Sequence, residues 1–344
     1  MFSGTFTALV TPFKNGFVDG PGLDSLVDFQ VACGISGVLA VGTTGESPTL
    51  SWEEHHTVTG RVARRASGKV TRIAGAGSNN TGEALAATKF AAEQGAEAVL
   101  LVDPYYNGPS SLEIRREYLE PVAAAFPDMA VIPYVIPGRT GAQLLPEDLA
   151  LIHRSHKNVS AVKEATGDIE NMRKTRALCG KDFIILSGDD DKTMTMMTDP
   201  LIKASGVISV VSNVAPKAVS EMVGHVLSGN MEEARRFEKA LKPLFSLVVV
   251  NTMESSAVGE VKCRARNPLP IKTLMAILGM PSGPCRRPLG KMTRKGLETV
   301  LSAARKVQAE TPWVLSPIAD HFRVNLEARL NDPRSWEGLA YDDY

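Results

Sequence analysis

Residues 159–167 read Val159-Ser160-Ala161-Val162-Lys163-Glu164-Ala165-Thr166-Gly167. The first half is a short, β-branched, apolar run, the composition of a strand buried on both faces. It ends abruptly in a lysine, a glutamate and a glycine turn. Seven further runs of the same kind occur: Phe6–Val10, Val38–Val41, Val70–Ala74, Ala98–Val102, Ala130–Tyr134, Phe183–Leu186 and Gly206–Val210. Between them the apolar residues switch to helical spacing, in Leu23–Cys33, Thr81–Gln94, Leu112–Phe126, Pro146–His153 and Ile169–Cys179. Ser51 with Glu54, and Asn80 with Glu83, have the spacing of capping boxes. Strand and helix alternating in units of about 25–30 residues predict an α/β chain, a closed (β/α)8 TIM barrel, with an open doubly wound sheet as the competing architecture.

The pattern changes after Val214. Val214–Ser228, Glu232–Val250, Ile271–Leu278 and Pro288–Val307 read as helices, and Met253–Arg266 as an irregular polar surface loop. We therefore expect a barrel over 1–225, a C-terminal helical appendage over 226–310, and an extra tail over 311–344 that packs as a short arm or stays mobile.

The chain has 344 residues, 44% hydrophobic and 22% charged. Lys+Arg and Asp+Glu both number 38, so no net charge draws it toward nucleic acid or anionic lipid. Cys33, Cys179, Cys263 and Cys285 form no CxxC pair, and no apolar run has membrane-spanning length. A basic segment followed by an apolar one is missing from the start. A cytoplasmic protein without nucleic-acid or membrane partners is expected.

In a barrel, reactive groups belong at the C-terminal ends of the strands. Lys163 ends one, where a buried lysine is costly unless it has a role. Desolvation favours the neutral amine, which attacks carbonyls; pairing with Glu164 is the plainer alternative. Tyr134 ends another strand, as a proton-transfer group or as a core tyrosine. Thr43 and Thr44 lie in a Gly-flanked turn whose amides suit a carboxylate, or simply turn the chain. Arg139 follows Pro137-Gly138 and either grips a carboxylate or stands on a surface loop. Glu53-Glu54-His55-His56 lacks the spacing of a zinc site, Gly75–Asn80 lacks a full dinucleotide fingerprint, and no phosphate-binding loop of the GxxxxGK[ST] type occurs. No metal and no organic cofactor are expected.

Eight segments, in order, carry a likeness: Gly42–Ser47 (GTTGES), Gly77–Thr81 (GSNNT), Pro104–Asn107 (PYYN), Pro137–Gly141 (PGRTG), Val162–Asp168 (VKEATGD), Leu186–Asp190 (LSGDD), Gly206–Val210 (GVISV) and Asn267–Lys272 (NPLPIK). Over roughly residues 2–305 the chain resembles the dihydrodipicolinate synthase (4-hydroxy-tetrahydrodipicolinate synthase) family of the N-acetylneuraminate lyase superfamily. The resemblance implies a lyase that joins pyruvate to L-aspartate 4-semialdehyde in lysine biosynthesis, through a Schiff base on Lys163. It implies a proton relay of Thr43, Tyr106 and Tyr134, with Tyr106 supplied by a neighbouring subunit of a dimer or tetramer. Thr43 and Thr44 would take the pyruvate carboxylate and Arg139 that of the semialdehyde, while Gly188 and Ile208 line the pocket. A feedback site for lysine would comprise Ser47, Pro48, Trp52, His55, Asn79, Glu83 and Tyr105. Val135 and Asp103 depart from the family's usual asparagine and threonine, and the 253–266 loop and the tail exceed its pattern. A related sialic acid or 2-keto-3-deoxy-sugar acid aldolase, or an inactive homologue with a binding role, are the alternatives.

Overall fold

Successive residues of each parallel strand point to opposite faces, and here both faces are covered. In the computed structural model, which describes residues 2–344, Phe6, Leu39, Ile73, Leu100, Ile132, Leu186 and Ile208 meet in one buried cluster inside a closed barrel. Their alternates, such as Val99, Val131, Val162, Ile185 and Val207, pack outward beneath the helices. The strands are β1 (Gly4–Ala8), β2 (Gly37–Ala40), β3 (Thr71–Gly75), β4 (Ala98–Val102), β5 (Ala130–Val135), β6 (Ala161–Glu164), β7 (Ile184–Ser187) and β8 (Gly206–Ser209). Each pairs in parallel with the next, and β8 closes onto β1 with Phe6 opposite Ile208. The seam needs a glycine: at Gly206, φ is +152° and a Cβ would stand 1.9 Å from the Gly4 carbonyl oxygen. The eight apolar runs are thus the eight barrel strands, and the open sheet is excluded.

The principal barrel helices are α1 (Gly20–Ala32), α2 (Trp52–Ala66), α3 (Thr81–Glu93), α4 (Glu120–Ala125), α5 (Pro146–Ser155), α6 (Ile169–Cys179), α7 (Thr193–Thr198) and α8 (Pro216–Leu227), which completes the eighth unit. Ser51 and Glu54 form the expected capping box at α2. Asn80 instead caps α3 through the Gly82 amide, and Glu83 turns away to accept a bond from the Ser78 hydroxyl at 2.6 Å.

Beyond the barrel lie α9 (Met231–Phe245), α10 (Leu269–Leu278) and α11 (Arg294–Glu310). Between α9 and α10 the expected irregular loop is instead a regular antiparallel hairpin, β9 (Val249–Ser256) and β10 (Gly259–Arg266), paired from Val249–Arg266 out to Ser256–Gly259. Most of its residues are not buried, so no alternation of apolar and polar side chains marked it as strand. The tail is ordered as two short helices, Ser316–Phe322 and Leu326–Asn331, laid against the appendage. Arg329 donates to the Ile277 and Ala276 carbonyls at 2.7 and 2.9 Å, fastening the tail to the end of α10. Phe322 packs on Phe29 of α1, tying the tail back to the barrel.

Candidate active site

The C-terminal ends of β2 to β8 bring together residues far apart in sequence. Lys163 is the penultimate residue of β6 and sits in register with Tyr134 of β5. Both are buried, and the Lys163 Nζ lies 4.1 Å from the centroid of the tyrosine ring. Lys163 and Glu164 point to opposite faces. Glu164 accepts from the Thr166 amide (2.8 Å) and the Asn171 side-chain amide (3.1 Å), and among the described residues no carboxylate oxygen lies within 4.0 Å of Lys163 Nζ. The ion-pair alternative is therefore excluded. Burial lowers the Lys163 pKa to about 8, with Asp189 and Asp190 opposing that fall.

Close packing fixes the lysine. A Cβ on Gly188 would stand 2.7 Å from Ala165 Cβ and 3.2 Å from Lys163 Cε, so only glycine fits there. Ile208 is wholly buried in the same interior cluster. Asp190 accepts from the Ser209 hydroxyl and from the Val210 amide (2.9 Å), which welds the ends of β7 and β8 together.

Above these groups is a cavity of about 260 Å³, lined in part by Gly42, Thr43, Tyr105, Tyr134, Arg139 and Thr140. Lys163 meets it through Tyr134 rather than by lining it. Burial raises the Tyr134 phenol to about 12, while Arg139 pulls the other way. Thr43 is near enough to lower it too, without meeting hydrogen-bond geometry. The Gly42–Glu46 turn is tight and strained. Val41, a β-branched residue, holds φ at +48°, and a Cβ on Gly45 would meet Val41 Cα at 3.0 Å. Among the described residues the Thr43 and Thr44 amides find no acceptor, leaving two donors for an anion.

Three residues to which the sequence reading gave no role brace the segments that line the cavity from behind. Asn267 donates from its side-chain amide to Thr44 Oγ1 at 3.0 Å, and its carbonyl accepts from Arg139 Nη2 at 3.0 Å. Arg266 donates to the Gly138 carbonyl at 3.1 Å. Lys272 is buried against Glu46, the last residue of the turn, at 2.6 Å. Asn267 and Lys272 stand in the NPLPIK segment, but the partners just named lie 128 to 226 positions away, so no local pattern announces them.

Tyr106 is not brought to this cavity within one chain. It is 91% exposed with φ of +78°, and its neighbour Tyr105 lines the wall in its place. Ser47 and Pro48 share that wall. His55 is buried with both ring nitrogens unpartnered, its pKa lowered to about 4 by burial, and Trp52 packs against it at 4.9 Å between centroids. Glu83 lies near enough to Tyr105 to help burial raise the phenol's pKa, and Asn79 is exposed beside them. Among the described residues no three His, Cys, Asp or Glu side chains converge as metal ligands, and no helix is long and apolar enough to cross a membrane.

The sequence profile of the family described as "Dihydrodipicolinate synthetase family" matches residues 1–307. The 4-hydroxy-tetrahydrodipicolinate synthase of Geotalea daltonii is 39% identical over 307 residues, which cover 89% of this chain and 99% of the relative. The enzyme of the same name from Methanocaldococcus jannaschii is 39% identical over 304 residues, 88% of this chain and 98% of the relative. Among solved structures, DHDPS from Cyanidioschyzon merolae with lysine bound is similar with a TM-score of 0.80 at 35% identity, covering 89% of this chain and 98% of that one.

Proposed function

This chain belongs to the dihydrodipicolinate synthetase family, and we propose that it performs the 4-hydroxy-tetrahydrodipicolinate synthase reaction, a lyase-class condensation of pyruvate with L-aspartate 4-semialdehyde in lysine biosynthesis. The observation that carries the mechanism is Lys163: a buried amine with no carboxylate within 4.0 Å and a pKa brought down to about 8. A neutral amine attacks the keto carbon of pyruvate, the keto oxygen leaves as water, and the resulting imine is a protonated electron sink. Loss of a proton from the pyruvate methyl gives an enamine, which adds to the aldehyde carbon of the second substrate. The semialdehyde's own amine then displaces Lys163 as the ring closes, returning the free lysine.

Each remaining residue takes a part. Tyr134 and Thr43 move protons to and from the departing oxygen, with Tyr106 entering from a neighbouring copy, since its own loop carries it into solvent. The free amides of Thr43 and Thr44 hold the pyruvate carboxylate, and Arg139 that of the semialdehyde. Gly188 and Ile208 shape the pocket around the imine. Carbonyl activation by the lysine calls for neither metal nor organic cofactor. The working unit is then a homo-oligomer, a dimer or larger, placed in the cytoplasm with its small-molecule substrates. Ser47, Pro48, Trp52, His55, Asn79, Glu83 and Tyr105 form the site for feedback by lysine. Unchanged turnover in millimolar lysine would remove that element alone.

Borohydride reduction in the presence of pyruvate, followed by peptide mass mapping, tests the core of the reading. A pyruvate-derived adduct on the Lys163 peptide is expected, and its absence overturns the mechanism. A coupled assay comparing the semialdehyde with sugar-acid substrates tests the acceptor.

A further inference from the structure

The β9–β10 hairpin ends where the site begins. Its last residue, Arg266, is followed directly by Asn267, which is bonded to both Thr44 and Arg139. Arg266 Nη1 reaches across to the Gly138 carbonyl at 3.1 Å, within the turn that bears Arg139. Its Nε is buried and has no hydrogen-bond partner. The two-residue period of β10 puts Arg264 on the same face. Among the described residues no carboxylate oxygen lies within 4.0 Å of Arg139, Arg264 or Arg266. Three guanidiniums therefore gather at the mouth of the cavity without an ion-paired counter-charge. Burial and mutual repulsion push both Arg139 and Arg266 down from the usual guanidinium range. A cluster of this kind is unfavourable until an anion joins it.

Arg139 is also not free to grip a carboxylate with its whole fork, because Nη2 is already bonded to the Asn267 carbonyl. Arg266 has an unused Nε–H and Nη2 beside it. We propose that Arg266, delivered by the hairpin, is a second binding residue for the carboxylate of the acceptor aldehyde, sharing that anion with Arg139, while Arg264 adds attraction from the rim. The inference rests on the aldehyde-acceptor reading above. It makes the hairpin a specificity device: an acceptor with a carboxylate near its reacting carbon is held by two guanidiniums, and an uncharged acceptor leaves both unpaired.

The test compares wild type with Arg266→Met and Arg266→Lys in steady-state assays of both substrates and in borohydride trapping with pyruvate. Arg266→Met should raise KM for the semialdehyde by about tenfold or more. Its KM for pyruvate and the yield of trapped adduct should stay at wild-type values. Arg266→Lys, which keeps the charge and loses the fork, should fall between. A semialdehyde KM unchanged in Arg266→Met, or both KM values rising together with loss of adduct, overturns the proposal and leaves Arg266 a clamp on the Gly138 turn. If the wild type does not condense the semialdehyde at all, the functional reading fails separately. The same three proteins are then titrated with succinate as the carboxylate probe: weaker binding by about tenfold in Arg266→Met supports the anion site, while no binding by wild type, or equal affinity, overturns it.

Discussion

The Nζ of Lys163 stands 4.1 Å from the centre of the Tyr134 ring, with no acidic group at ion-pair distance. Burial in the barrel interior opposes its protonation, and outweighs the attraction of the ring face for a cation. Because the folded pKa, about 8, lies below the model-peptide value of 10.5, the unfolded chain binds the proton more tightly. The cost to the fold is complete below pH 8 and disappears as pH rises past 10.5. Lys163→Met should abolish borohydride trapping and yet stabilise the protein at pH 7 by about 1–3 kcal/mol, a gain that shrinks above pH 8. In the wild type, the rate of imine formation should climb by about tenfold per pH unit below this pKa and level off above it. Urea melts at several pH values and rapid-quench trapping read the two outcomes.

Gly188 bears on the same lysine from the other side. With Ala165 Cβ at 2.7 Å and Glu164 O at 3.1 Å from an added Cβ, Gly188→Ala has no room without moving β6 or turning Lys163 away. Overpacking of this kind costs about 1–3 kcal/mol. The variant should melt at a lower temperature and form the pyruvate adduct more slowly, with the shift in trapping rate larger than that of a Gly138→Ala control, where an added Cβ meets open space.

How far the sequence reveals these relationships follows from which of them are local. All eight barrel strands are legible because a strand buried on both faces leaves a continuous apolar run. Lys163, Tyr134 and Thr43 are legible because each interrupts or ends such a run. The hairpin is not, since Lys262 and Arg264 lie on exposed strands where no apolar periodicity is selected. Nor is the role of Asn267: its bond to Thr44 spans 223 positions and exists only once the barrel has closed. Tyr106 is a third case. Its motif marks it, but the fold of one chain turns it outward, and the role proposed for it calls on a second copy.

Asp103 departs from the family's threonine, and the structure explains how it is tolerated. It is fully buried at the end of β4, where its amide donates to the Tyr134 carbonyl at 3.1 Å. One carboxyl oxygen accepts from the Leu144 amide at 3.0 Å, and the other has no partner. Burial, with the nearby Glu164, raises its pKa to about 8. An acid whose folded pKa lies above its unfolded value of 3.8 stabilises the fold fully only while the unfolded chain is also protonated. Stability is therefore lost as pH rises from about 4 to 8. Asp103→Asn keeps the acceptor for Leu144 and removes the ionisation. It should match wild type in pH slope only below about pH 4 and above about pH 8, diverge steadily between them, and exceed it in stability by on the order of 2 kcal/mol at pH 8, after allowing for relaxation around the ionised form. Chemical denaturation across that range tests it, with a flat difference between the two proteins counting against the assignment.

The buried pair of Lys272 and Glu46 makes the strongest demand on the turn that carries Thr43 and Thr44. Its side chains are 1% and 0% exposed, and the N–O distance is 2.6 Å. Lys272 also donates to the Thr11 carbonyl at 3.0 Å, and the other Glu46 oxygen accepts from the Arg286 amide at 2.8 Å. Glu46 itself holds φ at +60°, a conformation that these bonds keep in place. Thr11 then bonds the Gly45 carbonyl at 2.7 Å, so the pair, the turn and the loop after β1 form one network. Lys272→Met would leave a carboxylate buried without its cation, a change worth about 3–5 kcal/mol. Glu46→Gln should be costly as well, because its single carbonyl oxygen can accept from Lys272 or from the Arg286 amide but not from both, and the lysine loses its counter-charge. The double variant should be more stable than the sum of the single losses, since neither charge is then stranded. Where the singles still fold, KM for pyruvate should rise before the adduct yield at saturating pyruvate falls, because the network supports the carboxylate turn and does not touch Lys163. Equal effects on both would place the pair in the support of the whole barrel instead.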